Sequence, residues 1–480
     1  MSKPCDLSAL EARRLIGRKA LSPVELTKSC IERIEQVNGA LNAITTLDGD
    51  TALSVAKDAE QAVMNGDALG LLHGLPIGIK DLQATKGLRT TWGSLLYENH
   101  VPDYDDSVVA NVRAEGGIIL AKTNTPEFGA GANTTNKVFG ATGNPFDPDK
   151  TCGGSSGGSA VAVASNMVPL ATGSDHGGSL RTPATFCGVV GFRPSPGLVP
   201  RTTRPVSLLP MPVLGPMARS VEDAHLLLRA QLELDKDDPF SSDDVLRIPD
   251  ALSGVDLGTL KVAFSADLGC APLDNDIRKV FERKKSAFSR LFAETHDRDP
   301  DLSGVHEAFE ILRAVQFVAA HKERLEKHRD QLGPNVIDNT ERGLKYSLPD
   351  VAWAHKTQTG LYTRFRAFFD DADILICPAA AVSPFPHAQL FVEEINGEKM
   401  PGYMRWLAIT YALTMALPAI CCLPCGVDHL GMPFGIQVVG PIGSDAFVLE
   451  VAYALEQALA GNPETARPAP DLKALQKASS

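Results

Sequence analysis

The sequence predicts an α/β protein in which helices pack on the faces of one β-sheet. Short apolar runs bounded by glycine and proline alternate with helical stretches such as DSVVANVRAEG, a pattern typical of that class. The strand-like runs are GLPIGIKD, GGIILAKTN and MVPLATGSD in the first half and ADILICPAA, LPAICCLPCGV and FGIQVVGP near the end. Because strand signals return after a charged middle region, the chain of 480 residues is predicted to form one large domain.

Helix signals define the segments that flank these strands. LSPVELTKSCIERIEQVN offers Ser22 as N-cap, Pro23 at the first helical position and Glu25 at the capping-box position. The middle region is rich in charge and in helix formers, and a terminal helix is expected around DAFVLEVAYALEQAL. The predicted segments are an N-terminal helical arm (1–69), a first part of the sheet region (70–234), a helical insertion (235–370) and a C-terminal part of the same sheet (371–480).

Composition excludes several classes of protein. The formal net charge of -12 argues against a general affinity for nucleic acid. Apolar runs are interrupted well before the roughly 18 residues that would span a bilayer, and the N-terminus lacks a signal-peptide pattern. Cys421, Cys422 and Cys425 have no second pair of ligands at zinc spacing. We therefore expect a soluble cytoplasmic protein with neither a metal site nor a membrane partner.

The stretch GGSSGGSA, residues 153–160, is glycine-rich but lies beside an apolar run that indicates buried structure. A flexible linker is disfavoured because strand and helix signals continue on both sides. A phosphate-binding loop would need a lysine after the glycines, and none follows. The letters also fit G-x-S-x-G, the nucleophile elbow, but that turn must leave a strand, whereas NPFDPDKTC before it is turn-like.

A fourth interpretation takes several separated segments together. GLPIGIKD, AKTNTPEFG, CGGSSGGSA, SDHGGSLRTPATFCGVVGFRP and GMPFGIQVVGP jointly resemble the amidase signature hydrolases. A joint match of separated motifs is far more specific than any one of them. The resemblance implies one domain with a mixed β-sheet covered by helices on both faces. It also implies a catalytic triad of Lys80, Ser155 and Ser179, with a cis peptide bond before Ser155.

The chemistry of such a triad can be stated from the residue types. A serine hydroxyl needs an adjacent base, and a lysine is a base only when it is unprotonated. Burial lowers a lysine pKa, and Lys80 is flanked by apolar residues. Ser155 is then expected to bond to Lys80 on one side and to Ser179 on the other as a proton relay. Asp81 would hold Lys80 charged if it faced it, so we expect it to point away or to cap local backbone.

The resemblance assigns the nucleophile turn a second task. Backbone N–H groups of His176, Gly177, Gly178 and Ser179 are expected to form an oxyanion hole. The His176 side chain departs from the family pattern, and we expect it to line the acyl pocket or to add pH dependence rather than to act as a base for its near neighbour Ser179.

Three further positions complete the predicted site. Asp175 and Arg181 bracket the turn and are expected to fasten it as an ion pair. Gly129 corresponds by resemblance to a residue near the substrate.

The implied reaction is acyl transfer from an amide to Ser179 and then to water, with no metal or organic cofactor. GFRPSPGLVP looks more like the branch that hydrolyses aryl amides, hydrazides and nylon-type cyclic dimers, so a small amide or hydrazide is the expected substrate. The alternatives are a Ser-His-Asp esterase, a noncatalytic binding protein and the A-type subunit of a glutamine-using tRNA-dependent amidotransferase. Whether the chain forms a homodimer is left open. Four apolar residues of the insertion either line the pocket or form its own core: Phe309, Leu312, Phe317 and Trp353.

Overall fold

Eleven strands form one mixed sheet in the computed structural model, which describes residues 3–479. The strands are β1 (Ile44–Leu47), β2 (Pro76–Lys80), β3 (Ile118–Thr123), β4 (Leu170–Asp175), β5 (Val190–Arg193), β6 (Val213–Ala218), β7 (Lys261–Phe264), β8 (Glu294–Asp297), β9 (Ile374–Pro378), β10 (Ala419–Val427) and β11 (Pro433–Gly440). Their order across the sheet is β1-β3-β2-β4-β6-β5-β10-β11-β9-β7-β8. The single sheet predicted from the sequence is confirmed.

The sheet combines two parallel groups with an antiparallel centre. β2 runs parallel to both β3 and β4, and β7 runs parallel to both β8 and β9. The other neighbouring pairs are antiparallel. Because β2 and β4 are adjacent and parallel, their carboxyl ends meet at one edge, and the candidate site lies there.

Fourteen α-helices surround this sheet in the described chain. They are α1 (Ala9–Gly17), α2 (Pro23–Leu41), α3 (Gly49–Asn65), α4 (Ser107–Ala114), α5 (Gly157–Ala164), α6 (Arg181–Cys187), α7 (Val221–Gln231), α8 (Asn275–Phe288), α9 (Val305–His328), α10 (Pro334–Gly343), α11 (Leu348–Phe368), α12 (Ala408–Thr414), α13 (Asp445–Ala460) and α14 (Leu472–Ser479). Helix α2 begins as predicted, since the Ser22 hydroxyl accepts from the backbone of Val24 and Glu25 and the Glu25 carboxylate accepts from the Ser22 N–H.

Two segments predicted as helical also carry strands. The N-terminal arm, 1–69, supplies β1, which pairs antiparallel with β3. The insertion, 235–370, supplies β7 and β8, which extend the far edge of the sheet through β9. Their sequences are short and partly exposed, so they lack the continuous apolar run that marks a buried strand.

The glycine-serine stretch folds into the centre of the molecule. Ser156 is the N-cap residue of α5, and all eight residues of that helix are buried. NPFDPDKTC forms no strand of the main sheet, since Asp147–Thr151 pairs with Gly143–Asn144 in a separate small hairpin. The nucleophile-elbow geometry, a strand of the main sheet running into the turn, is thus absent here.

Three features are absent from the described part of the chain. No helix within residues 3–479 is both long and apolar enough to cross a bilayer. Across the same residues, His, Cys, Asp and Glu side chains form no cluster of three or more suited to a metal ion. All nine cysteines lie in this range, and none is in a disulfide.

Candidate active site

Lys80 is the last residue of β2, and its side-chain nitrogen lies among three serine hydroxyls. The Nζ atom is 2.8 Å from Oγ of Ser155, 2.8 Å from Oγ of Ser156 and 2.9 Å from Oγ of Ser174. The Lys80 backbone N–H donates to Thr172 Oγ1 on neighbouring β4 at 3.0 Å. This bond to the neighbouring strand fixes the backbone position from which the Lys80 side chain extends.

The surroundings of Lys80 favour its neutral form. Lys80 is fully buried, and burial lowers its pKa well below the ordinary value; Arg201 lowers it further, while Asp175 opposes the shift. Asp81 does not hold Lys80 in its charged form, because the Asp81 carboxylate is bonded elsewhere. It accepts from the Thr91 N–H at 3.1 Å and from the Thr91 hydroxyl at 2.5 Å. The expectation that Asp81 caps local backbone is confirmed.

Ser155 follows a cis peptide bond from Gly154, as the sequence resemblance implies, and lies just before α5. Glycines allow close packing around this turn. A Cβ atom on Gly158 would lie 2.2 Å from the Asn124 nitrogen, and one on Gly129 would lie 3.3 Å from Ser155 Oγ. Gly129 also has φ of +72°, so a side chain there would be strained as well as close.

The turn after β4 is held by the Asp175 carboxylate. It accepts from Arg181 Nη2 at 2.9 Å, from Arg193 Nη1 at 3.2 Å, and from the backbone N–H groups of Gly178 at 3.0 Å and Leu180 at 3.1 Å. Burial alone would raise the pKa of Asp175, but the two guanidinium groups override it and hold that pKa well below its usual range. The predicted ion pair between Asp175 and Arg181 is present, and Arg193 completes it.

The same contacts change the set of candidate oxyanion donors. The sequence predicts four N–H groups, but the Gly178 hydrogen is directed at Asp175, which removes Gly178 from the set. In the described chain the N–H groups of His176, Gly177 and Ser179 have no acceptor. A sequence shows which amides are in the turn, but not where a buried carboxylate points.

Ser179 itself is half-buried and lines an open cleft. Its carbonyl oxygen accepts from the Ser156 N–H at 3.2 Å, which ties the turn to the start of α5. Within residues 3–479 its hydroxyl makes no hydrogen bond, so the expected contact with the Ser155 hydroxyl is not formed here.

The His176 side chain packs beside this cleft as a neutral ring. Its edge meets the Phe309 ring at a centroid distance of 5.8 Å, and its Nε2 atom is buried with no partner in the described structure. Burial lowers the His176 pKa well below its ordinary value, and the charges of Arg313 and Arg201 lower it further. The carboxylate of neighbouring Asp175 is committed to two arginines, so the Ser-His-Asp arrangement is not assembled.

The cleft has a volume of about 140 Å³. Ser155, Ser179, His176 and Gly129 all line it, and Lys80 lies directly behind Ser155. The predicted triad residues and both predicted substrate-contact residues therefore lie around one opening at the carboxyl ends of β2 and β4.

Comparison with known proteins agrees with this architecture. The sequence profile of the family described as Amidase matches residues 25–449. The chain belongs to the amidase family. The A-type subunit of the glutamyl-tRNA(Gln) amidotransferase from Cyanothece sp. is 31% identical over 94% of this chain and 98% of its own length. The acylamidase of Rhodococcus erythropolis is 31% identical over 94% of this chain and 95% of its own.

A solved structure extends the family likeness to the fold. A bacterial aryl acylamidase of the amidase signature family superposes with a TM-score of 0.87 at 27% identity, covering 98% of each chain. Cleavage of an amide C–N bond is thus the reaction class of this amidase.

The insertion of this amidase closes one side of the cleft. Helix α9 contributes five lining residues: Arg313, Gln316, Phe317, Ala320 and His321. Of the four apolar residues singled out from the sequence, Phe317 lines the cleft, Phe309 stacks on Tyr411 at 4.3 Å, Leu312 is buried in the core, and Trp353 is 40% exposed. The two interpretations of the insertion are both partly correct.

Sequence reasoning missed several residues that the structure places at the site. Ser156 and Ser174 share Lys80 with Ser155, and Arg201 and Arg313 line the cleft. One signal was available for Ser174. Thr172 and Ser174 are two residues apart on β4 and therefore share one face, and both contact Lys80. No local signal in the sequence brings Arg201 or Arg313 to Ser179.

Proposed function

We propose that this amidase hydrolyses a small amide or hydrazide through an acyl-Ser179 intermediate, with Lys80 as the base and Ser155 as the proton relay. The observation that carries the proposal is the buried Lys80 nitrogen, 2.8 Å from the Ser155 hydroxyl and without a carboxylate partner in the described chain. A base of this kind needs no histidine.

The hydroxyl groups around Lys80 suit a neutral amine. The Ser156 hydroxyl donates to the Ser174 carbonyl at 3.2 Å, so it can only accept from Lys80. A neutral amine has two N–H groups and one lone pair. If the N–H groups serve Ser156 and Ser174, the lone pair is left to accept the Ser155 hydroxyl. The Ser179 hydroxyl is unbonded in the described structure; once it meets the Ser155 hydroxyl, Ser155 can take its proton while giving its own to Lys80.

The reaction then follows in two stages. The Ser179 oxygen attacks the carbonyl carbon as its proton passes to Ser155 and the Ser155 proton passes to Lys80. Ser155 then protonates the departing nitrogen as the C–N bond breaks, and Lys80 returns its proton to Ser155. Water then attacks the acyl-serine by the same relay and restores the hydroxyl. The free N–H groups of His176, Gly177 and Ser179 are suited to stabilise the oxygen that becomes negative in each stage.

The leaving group distinguishes the candidate substrates. An amide and a hydrazide share the acyl carbonyl and differ only at the departing nitrogen, so one site can process both. Relatives named acylamidase and aryl acylamidase support a stand-alone hydrolase of this kind.

A second candidate is a glutamine-using amidotransferase component, favoured by the relative from Cyanothece sp.. That function requires release of ammonia from glutamine and a partner protein to receive it. Glutamine hydrolysis faster than that of aryl amides and hydrazides, together with copurification of a partner protein, would favour this candidate over ours.

The test compares Lys80→Ala, Ser155→Ala and His176→Ala in hydrolysis of an aryl amide and its hydrazide analogue. We expect the first two to lose roughly 100-fold or more in acylation rate, since each removes part of the proton path. We expect a milder loss for His176→Ala, and none for exposed Lys57→Ala as a matched control. The Ser-His-Asp esterase alternative gives the opposite order, with His176→Ala inactive and Lys80→Ala active.

A further inference from the structure

The ionisable groups that line the cleft are unbalanced in charge. Five such residues line it: Asp175, His176, Arg201, Arg313 and His321. The carboxylate of Asp175 is committed to Arg181 and Arg193, and the two histidines are neutral because burial lowers the pKa of each. The guanidinium groups of Arg201 and Arg313 are therefore the charges of the cleft lining that no carboxylate of the lining pairs with, in a chain whose formal net charge is -12.

Arg201 reaches the cleft with its guanidinium group unpaired. Its backbone N–H donates to Asp238 Oδ2 at 2.8 Å, but the second oxygen of that carboxylate is taken by Arg204 Nη1 at 2.6 Å. In the part of the chain that the structure describes, the Arg201 side chain has no hydrogen bond and no ion pair. Burial, followed by the neighbouring charge of Arg204, lowers its pKa to about 10 against the opposing charges of Asp106 and Asp238, so it stays charged at neutral pH.

Arg313 approaches from α9 on the insertion and is 5% exposed. It donates to the side-chain oxygen of Asn339 and stacks over the rings of Phe317, at 4.3 Å, and Tyr403, at 5.4 Å. Among residues 3–479 no carboxylate lies within ion-pair distance of it; the nearby Glu310 pairs with Arg405. Aromatic rings and an amide hold the guanidinium group in place without neutralising it.

Arg201 and Arg313 line the same cleft as His176. Both lower the pKa of His176, the residue three positions before Ser179, so their fields overlap beside the nucleophile turn. Neither guanidinium group has a carboxylate of the described chain within ion-pair distance, and arginine pairs well with planar carboxylates. A ligand that supplies a carboxylate would remove this imbalance.

We propose that Arg201 and Arg313 select substrates that carry a carboxylate in addition to the amide or hydrazide that is cleaved. This inference rests on the proposed function and names its substrate class. The substrate carboxylate binds beside His176 while the scissile carbonyl contacts Ser179. Neutral amides of the same length lack that contact and are poorer substrates.

The experiment compares the 4-nitroanilide of glutaric acid, which keeps one free carboxylate, with the 4-nitroanilide of pentanoic acid, which has the same carbon chain without it. The ratio of their kcat/KM values measures the preference. We expect the wild-type ratio to be roughly tenfold or more, since a hydrogen bond to a charged group contributes on this scale. Arg201→Gln and Arg313→Gln should each move the ratio toward one. Arg366→Gln makes the same change at an exposed position outside the cleft and should leave it unaltered.

A wild-type ratio of one or less overturns the proposal, as does a preference that survives in both cleft variants. Circular dichroism shows whether each variant is folded, and Arg201→Lys, which keeps the charge, should retain part of the preference.

Failure of the proposed function is distinguishable. If wild-type protein cleaves neither anilide, titration calorimetry with glutarate tests the arginines directly. Binding that is weakened in Arg201→Gln supports the carboxylate site, and absence of binding refutes it.

Discussion

Replacing Asp175 by asparagine removes a charge with almost no change in shape. We expect this replacement to destabilise the protein severely, because two buried arginines lose their counter-charge. The Asp175 carboxylate is 1% exposed and contacts both Arg181 and Arg193, which are themselves fully buried. Breaking a buried ion pair typically costs about 3–5 kcal/mol, since it leaves a charge without compensation. The asparagine NH₂ would also turn a donor toward the donors of Gly178 or Leu180. We therefore expect the free energy of unfolding to fall by about 3–5 kcal/mol.

The matched control is Asp371→Asn. Asp371 is 81% exposed and lies 3.4 Å from Arg298. An exposed pair contributes about 0–1 kcal/mol, so the same chemical change should have little effect there. Denaturation in urea, followed by circular dichroism, measures both variants against wild type.

The pH dependence of Asp175→Asn gives a second readout. The Asp175 charge raises the pKa of Lys80, so its removal should move the acid limb of the acylation rate to lower pH while the rate itself falls with the loosened turn. An Asp175→Asn protein as stable as Asp371→Asn would refute the assignment of the turn to this ion network.

Three further predictions concern Lys80 and its surroundings. Burial lowers the Lys80 pKa, so the neutral base is present above that pKa and is lost as pH falls through it. Acylation rates measured from alkaline to acidic pH should therefore decrease in one step, and Lys80→Ala should lack that step. Gly129→Ala should slow acylation roughly tenfold or more because its Cβ would lie 3.3 Å from Ser155 Oγ at φ of +72°; Gly87→Ala, at φ of +77° with open space, is the strain control and should keep wild-type kinetics. Ser156→Ala removes an acceptor 2.8 Å from Lys80 and should slow acylation about tenfold in single-turnover experiments, and an unchanged rate would argue against the neutral-amine arrangement.

Much of the fold was readable from the sequence because buried strands are continuous apolar runs. β2, β3, β9, β10 and β11 are mostly apolar, and β4 is marked by the apolar run MVPLA (167–171) at its start. β6 was missed because Gly215 and Pro216 interrupt it, and β8 because all four of its residues are exposed. Periodicity reports burial, so strands at a sheet edge or with a proline escape it.

The site likewise contains residues that the sequence predicts and contacts that only the folded chain reveals. The resemblance to the amidase signature hydrolases assigned Lys80, Ser155 and Ser179, and local chemistry predicted the Asp81 cap and the Asp175–Arg181 pair. Contacts made by tertiary packing were not accessible. The commitment of the Gly178 amide depends on the direction of one carboxylate, and Arg313 comes from an insertion far along the chain from Ser179.

The most direct test of the central claim is the intact mass of the protein after treatment with an arylsulfonyl fluoride, with Ser179→Ala treated in parallel. An activated Ser179 predicts one sulfonyl adduct on wild type and none on the variant. No adduct on wild type, even with a smaller sulfonyl fluoride that fits the cleft, would contradict an activated serine. An adduct that persists in Ser179→Ala would place the nucleophile at another residue.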